Sequence, residues 1–140
     1  AEDIGAEALP ILNCGMACQY NTAELVPLED LNPFIQDALD LIEFANGSPE
    51  TQWGKLRASM GHPQPFNLKV LGIGNENWGP QYIERLKLFM AAIKSKYPAI
   101  KLVCSSGTDP NGERFDYLNG ELRKINADLI DEHFFHIKIY

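Results

Sequence analysis

Apolar residues along this chain fall into two rhythms. Leu9-Pro10-Ile11-Leu12-Asn13, Lys69-Val70-Leu71-Gly72-Ile73, Lys101-Leu102-Val103-Cys104-Ser105 and Leu129 to Phe135 are short runs, mostly apolar rather than alternating. That is the pattern of strands covered on both faces of a parallel sheet. Between them the period changes to that of helices. Asn32 reads as an N-cap with Pro33 in the first turn of a helix to about Ala45, its inward stripe Phe34, Ala38, Leu41, Ile42 and Ala45. Pro80 opens a helix to about Lys96 that turns Ile83, Leu86, Phe89, Met90 and Ile93 inward and Glu84, Lys87, Lys94 and Lys96 to water. A third helix runs from Phe115 to about Asn126 with Tyr117, Leu118, Leu122 and Ile125 on one face. Ala1 to Ala8 reads as the tail of a further helix broken near Gly5.

The connections are informative as well. Cys14 to Asn21 and Ser106 to Glu113 are loops at the ends of strands. Ser48 to Asn67 is long and rich in Pro and Gly, but its Trp53 and Leu56 are expected to pack it down, with one helical turn. Regular strand-helix alternation predicts an α/β fold with a parallel sheet and right-handed crossovers. A complete (β/α) barrel takes about 250 residues and eight strands. Four apolar runs in 140 residues are therefore expected to form a partial (β/α) TIM barrel in a single domain, residues 1–140.

Bulk properties narrow the partners. The formal net charge is −7, with a pI near 4.9, which argues against nucleic acid and against an anionic membrane surface. No apolar run approaches the roughly 20 residues that span a bilayer. Ala1 in place of an initiator Met reads as a cut or truncated chain. Asn46-Gly47-Ser48 matches a glycosylation sequon, but Pro49 follows it. Cys14, Cys18 and Cys104 cannot all pair within one chain, and no second closely spaced ligand pair joins them. His62, His133 and His136 do not supply one, so buried reduced thiols are expected and no metal.

The chemistry gathers at Gly74-Asn75-Glu76-Asn77-Trp78-Gly79-Pro80, where the second apolar run stops. A carboxylate flanked by amides at the C-terminal end of a buried strand stands where α/β enzymes place reactive groups. Glu76 is the catalytic candidate; the competing reading has Asn75 and Glu76 capping the next helix. Asn13, at the end of the first strand, shares that rim but as a lone amide reads as structural. Trp53 could stack on a sugar or anchor its loop. Gly72-x-Gly74 is an incomplete dinucleotide fingerprint, with Asn77 where the third glycine should fall.

Gly74-Asn75-Glu76 followed by Trp78-Gly79-Pro80 resembles the acid/base motif of family 51 glycoside hydrolases, the retaining α-L-arabinofuranosidases. Trp53-Gly54-Lys55-Leu56-Arg57, Met60-Gly61-His62-Pro63 and Ile130-Asp131-Glu132-His133-Phe134-Phe135 resemble further family segments in the right order. The resemblance covers nearly the whole chain and implies the third to sixth strands of the family barrel. It makes Glu76 the general acid/base, a role favoured by partial burial beside an aromatic such as Trp78. It also implies that Asn75 hydrogen-bonds the sugar hydroxyl next to the reacting carbon, and that His133 lines the active site, with a satisfied core histidine as its alternative. Trp78 joins Asn75 and His133 as an expected substrate-binding residue.

The family nucleophile ends the seventh strand, and no segment here matches it. Glu132 is a poor substitute, and Phe135 stands where many members carry a tyrosine. The expected function is thus that of a fragment, inactive alone, of an enzyme releasing arabinofuranose from plant polysaccharides or oligosaccharides without a cofactor. Its uncovered edges predict self-association, to a homo-oligomer or aggregate. The alternatives are a glycosidase of different sugar preference and a small open α/β domain binding a nucleotide or protein.

Overall fold

In the computed structural model, which describes residues 1–133, the apolar runs pair side by side in one all-parallel sheet. The strands are β1 (Ile11–Leu12), β2 (Val70–Ile73), β3 (Lys101–Ser105) and β4 (Leu129–Asp131), in the order β1-β2-β3-β4. Register runs Leu12 to Ile73, Ile73 to Cys104 and Cys104 to Ile130 across the sheet. The helices are α1 (Asn32–Asn46), α2 (Gln52–Ser59), α3 (Pro80–Lys96) and α4 (Glu113–Lys124). Spatial order follows chain order without a reversal, as in a barrel wall and unlike a doubly wound sheet, whose order switches direction. Consecutive helices α1, α3 and α4 touch in turn, forming an outer helical layer. None of the described helices is long and apolar enough to cross a membrane.

One core fills the space between these layers. Leu71, Ile73, Leu102 and Cys104 come from the strands, Ala38 and Ile42 from α1, Tyr82, Leu86, Phe89 and Ile93 from α3, and Leu118 and Leu122 from α4. The stripes expected for α1 and α3 therefore face inward. On α4 the expectation for Tyr117 fails: it is exposed and Asn119 is buried instead. The inward stripe of this helix is centred on Leu118 and Leu122, and Tyr117 falls on its flank.

Other boundaries differ from expectation. Ala1 to Ala8 is no helix tail; Glu2–Ile4 makes a 3-10 turn that stops at the left-handed Gly5, φ 67°. So few residues, broken by glycine, cannot repay helix nucleation. Asn32 is not the N-cap of α1. That place belongs to Leu31, with no side-chain capping bond. A 3-10 turn over Leu28–Asp30 leads straight into the helix, with Leu31 already in the right-handed region.

The long connection holds α2, eight residues rather than one turn, capped by Thr51 Oγ1 accepting from the Gly54 N–H at 3.2 Å. Its anchor is Arg57, fully buried, rather than Trp53 or Leu56. The guanidinium donates to the carbonyls of Phe44 (2.7 Å), Gly47 (2.8 Å), His62 (3.0 Å) and Pro63 (3.2 Å), tying α2 to the end of α1 and to the chain beyond itself. Gly54 lets this packing close, since a Cβ there would stand 2.1 Å from the Ser48 carbonyl oxygen. Because α1 returns along the sheet, α2 and Trp53 lie at the N-terminal edge of the strands. Trp53 is therefore remote from the opposite edge, where the strand-end residues gather.

Candidate active site

Asn13, the turn Gly74 to Gly79, Ser105 to Gly107, and Asp131 to His133 follow the four strands and share the C-terminal edge of the sheet. The turn after β2 is strained. Gly74, Glu76 and Gly79 have φ of 75°, 56° and 89°. Left-handed backbone is ordinary for glycine but costs a glutamate on the order of 1–3 kcal/mol, and such positions cluster at functional sites.

Buried contacts hold the turn in this shape. Asn77 is buried, and its Oδ1 accepts from the Asn75 N–H at 2.9 Å and from Cys14 Sγ at 3.7 Å. The Asn77 carbonyl accepts from Ser105 Oγ at 3.0 Å. A side chain at Gly74 would meet Asn77 Oδ1 at 2.5 Å and the Tyr82 ring at 2.9 Å, so its left-handed angle and its crowding both require glycine. Tyr82 Oη donates to the Ile73 carbonyl at 2.7 Å and accepts from the Ser105 N–H at 2.8 Å. Trp78 is held by Gln19: its N–H donates to Gln19 Oε1 at 2.9 Å, and its carbonyl accepts from Gln19 Nε2 at 3.1 Å.

Above this base Glu76 is half-buried, and an imidazole approaches it. His133 Nε2 stands 3.6 Å from Glu76 Oε1, and His133 Nδ1 stands 3.9 Å from Asp131 Oδ2. The imidazole thus lies between two carboxylates, within ion-pair range of each when protonated. The ring of Trp78 is engaged by Tyr20, centroids 4.9 Å apart at 58°, and by the Arg114 guanidinium, 4.9 Å from the ring centre. Arg114 Nε is paired with Asp109 Oδ2 at 2.7 Å.

The structure therefore brings Glu76, His133 and Trp78 together with the exposed Asn75, and separates Trp53 from them. The helix-cap reading of Asn75 and Glu76 is overturned, because the N-cap of α3 is Gly79 and no side chain caps it. Asn13 is structural as expected: its Oδ1 accepts from the N–H groups of Gly15 (2.6 Å) and Met16 (3.2 Å), closing an Asx turn. Glu132 is exposed, and Phe134, Phe135 and His136 to Tyr140 lie outside the described residues. Cys14 and Cys104 are buried, and burial pushes their thiols up to about 11 and about 12, so both stay protonated. Cys18 departs from the expectation of three buried thiols; it is exposed at a loop turn. Among the described residues no group of three or more His, Cys, Asp or Glu is arranged to hold a metal. Gln19, Tyr20, Ser105 and Arg114 were not legible as site residues. Tyr82 was not legible either, because the inward stripe expected for α3 begins at Ile83.

Parallel strands in unbroken order with helices on the outside define a segment of a (β/α) barrel. A family model described as the alpha-L-arabinofuranosidase 1 domain matches residues 1–138, and the chain belongs to that family. It is 43% identical to an extracellular exo-alpha-L-arabinofuranosidase of Streptomyces chartreusis, over 97% of this chain and 17% of the relative. It is 37% identical to alpha-L-arabinofuranosidase 2 of Arabidopsis thaliana, over 94% of this chain and 19% of the relative. Among solved structures it resembles an arabinose-bound GH51 arabinofuranosidase, with a TM-score of 0.62 at 32% identity, over 74% of this chain and 17% of the other. An arabinofuranosidase from Thermotoga maritima in complex with arabinose gives 0.54 at 30% identity, over 69% and 21%. The chain spans less than a quarter of the length of each.

Proposed function

We propose that residues 1–140 form the third to sixth strands of the catalytic barrel of a retaining α-L-arabinofuranosidase, with Glu76 as its general acid/base. The substrate is a terminal arabinofuranosyl group on a plant polysaccharide or oligosaccharide. In the first step the Glu76 carboxyl gives its proton to the glycosidic oxygen as the bond to the anomeric carbon breaks. A glutamate from elsewhere in the parent barrel attacks that carbon and forms a glycosyl-enzyme. In the second step the Glu76 carboxylate takes a proton from water, which displaces the nucleophile and restores both groups. Asn75 hydrogen-bonds the hydroxyl next to the reacting carbon, His133 orients the Glu76 carboxylate, and Trp78 contributes to binding the substrate. No cofactor enters this chemistry.

The observation that supports the reading most is Glu76 itself, held at φ 56° on a strand end with His133 Nε2 3.6 Å away. The test is Glu76→Gln in the full-length parent, assayed on aryl arabinofuranosides with good and poor leaving groups. Protonation of the leaving oxygen matters most where the leaving group is poor. That substrate should slow by about a hundredfold or more, the good one far less, with azide partly rescuing the latter by attacking the glycosyl-enzyme. Equal, mild losses on both would make Glu76 structural. The 140-residue chain alone should show no turnover, because it lacks the nucleophile.

A further inference from the structure

The turn that carries Glu76 is fastened from a part of the chain that the reaction does not otherwise use. Between β1 and α1 the backbone makes a hairpin-like arm. Met16 and Leu25 form an antiparallel bridge, the Ala17 N–H donates to the Glu24 carbonyl at 2.9 Å, and the Val26 N–H donates to the Gly15 carbonyl at 2.9 Å. Its base is held by the buried Arg85 of α3, whose guanidinium donates to the Val26 carbonyl and, at 3.0 Å, to the Gln81 carbonyl. At the tip stand Gln19 and Tyr20. Tyr20 places its ring on Trp78, and its hydroxyl is 2.7 Å from Thr108 Oγ1 in the loop after β3. Gln19 makes the two-point pairing with the backbone of Trp78, two residues past Glu76.

That pairing is specific to an amide. The N–H and C=O of Trp78 lie outside helix and sheet, where one side chain answers both, as a neighbouring strand would. Only Asn and Gln present a neutral donor and acceptor side by side. A carboxylate at position 19 would set an acceptor against the Trp78 carbonyl, and a shorter amide would not reach both atoms. The turn has every reason to need such a fastening, since it holds a glutamate in left-handed backbone, a state that persists only when its surroundings over-determine it.

Resting on the reading of Glu76 as acid/base, we infer that Gln19 is a positioning residue for proton donation: by clasping Trp78 from the β1–α1 arm it fixes where the Glu76 carboxyl meets the leaving oxygen. Misplacing a catalytic group by on the order of 1 Å costs up to about a hundredfold, and the loss should fall on the step that needs the proton.

The test uses the full-length parent carrying Gln19→Met, which keeps the side chain's length and removes both hydrogen bonds, beside Glu76→Gln. The expected result for Gln19→Met is at least a tenfold fall in kcat on a poor-leaving-group arabinofuranoside. On a dinitrophenyl substrate kcat should stay within about threefold, and KM should change little on both. Should Gln19→Met melt below the assay temperature, Gln19→Asn serves in its place, and a smaller loss with the same leaving-group bias is expected. Equal losses on the two substrates, or none, in a folded Gln19 variant while Glu76→Gln shows the leaving-group bias would overturn the role of Gln19 and leave Glu76 in place. Loss of that bias in Glu76→Gln itself would overturn both.

Discussion

Tyr82 shows how much of this site rests on single polar atoms inside the core. The ladder between β2 and β3 ends at the pair Ile73 and Cys104, and the Tyr82 hydroxyl bridges the next gap, donating to Ile73 and accepting from Ser105. Burial, with smaller contributions from the neighbouring Cys104, Cys14 and Asp131, pushes this phenol well above its usual range, so it keeps its proton. Tyr82→Phe leaves a buried carbonyl and a buried N–H without their partner, and each such group costs about 1–3 kcal/mol. The variant should melt several degrees lower with its secondary structure intact; an unchanged melting temperature would show that the bridge carries no stability. Tyr82, Arg57 and Gln19 share the reason they escaped the sequence. Periodicity sorts side chains into inward and outward by polarity, and a polar group turned inward on carbonyls elsewhere in the chain leaves no local mark. Glu76 was legible because its motif is local: a strand, a glycine and three polar residues.

At the scale of elements, the sheet and the two long helices were readable because their periods repeat over many residues, whereas ends depend on tertiary contacts that sequence does not display. Asn32 looked like a cap, yet the preceding turn delivers the chain already helical. The α4–β4 junction shows what such contacts contribute. Asp128 Oδ2 accepts from the Leu102 N–H at 2.9 Å and pairs with Lys94 Nζ at 2.6 Å, while Lys94 also donates to the Ile100 carbonyl at 2.7 Å. The entry to β4, the start of β3 and the last turns of α3 are thereby joined. Burial alone would raise the Asp128 carboxyl, but the Lys94 ammonium and the Leu102 N–H outweigh it and hold it below the ordinary carboxylate range. A group depressed on folding stabilises the protein above its unfolded pKa, about 3.9 for aspartate, and that contribution disappears as pH falls through the folded value. Asp128→Asn should therefore melt lower than the unmodified protein at pH 7, and the gap should close as the pH drops below about 4. A gap that persists unchanged at pH 3 would mean that the charge on Asp128 is not its source.

Four strands are half of a closed barrel, and the geometry of the whole molecule shows the consequence. Among the described residues the unbroken order β1-β2-β3-β4 leaves β1 and β4 as edges, with Ile11 48% and Leu129 42% exposed on them. At the N-terminal end of the strands an open cavity of about 700 Å³ is lined in part by Leu9, Leu41, Phe44 and Phe66. Unpaired strand edges offer rows of N–H and C=O groups to another chain, and adjoining apolar surface adds a driving force for contact. In a closed barrel the flanking strands satisfy those edges and bury those side chains. The 140-residue polypeptide should therefore self-associate, and light scattering across a dilution series should give a mass that rises with concentration. The full-length parent, with its barrel closed, should lack that edge-driven rise. A 140-residue chain that stays monomeric at every concentration would mean that the edges are closed within the chain itself. If the parent shows the same rise as the short chain, the association belongs to a surface other than the open sheet.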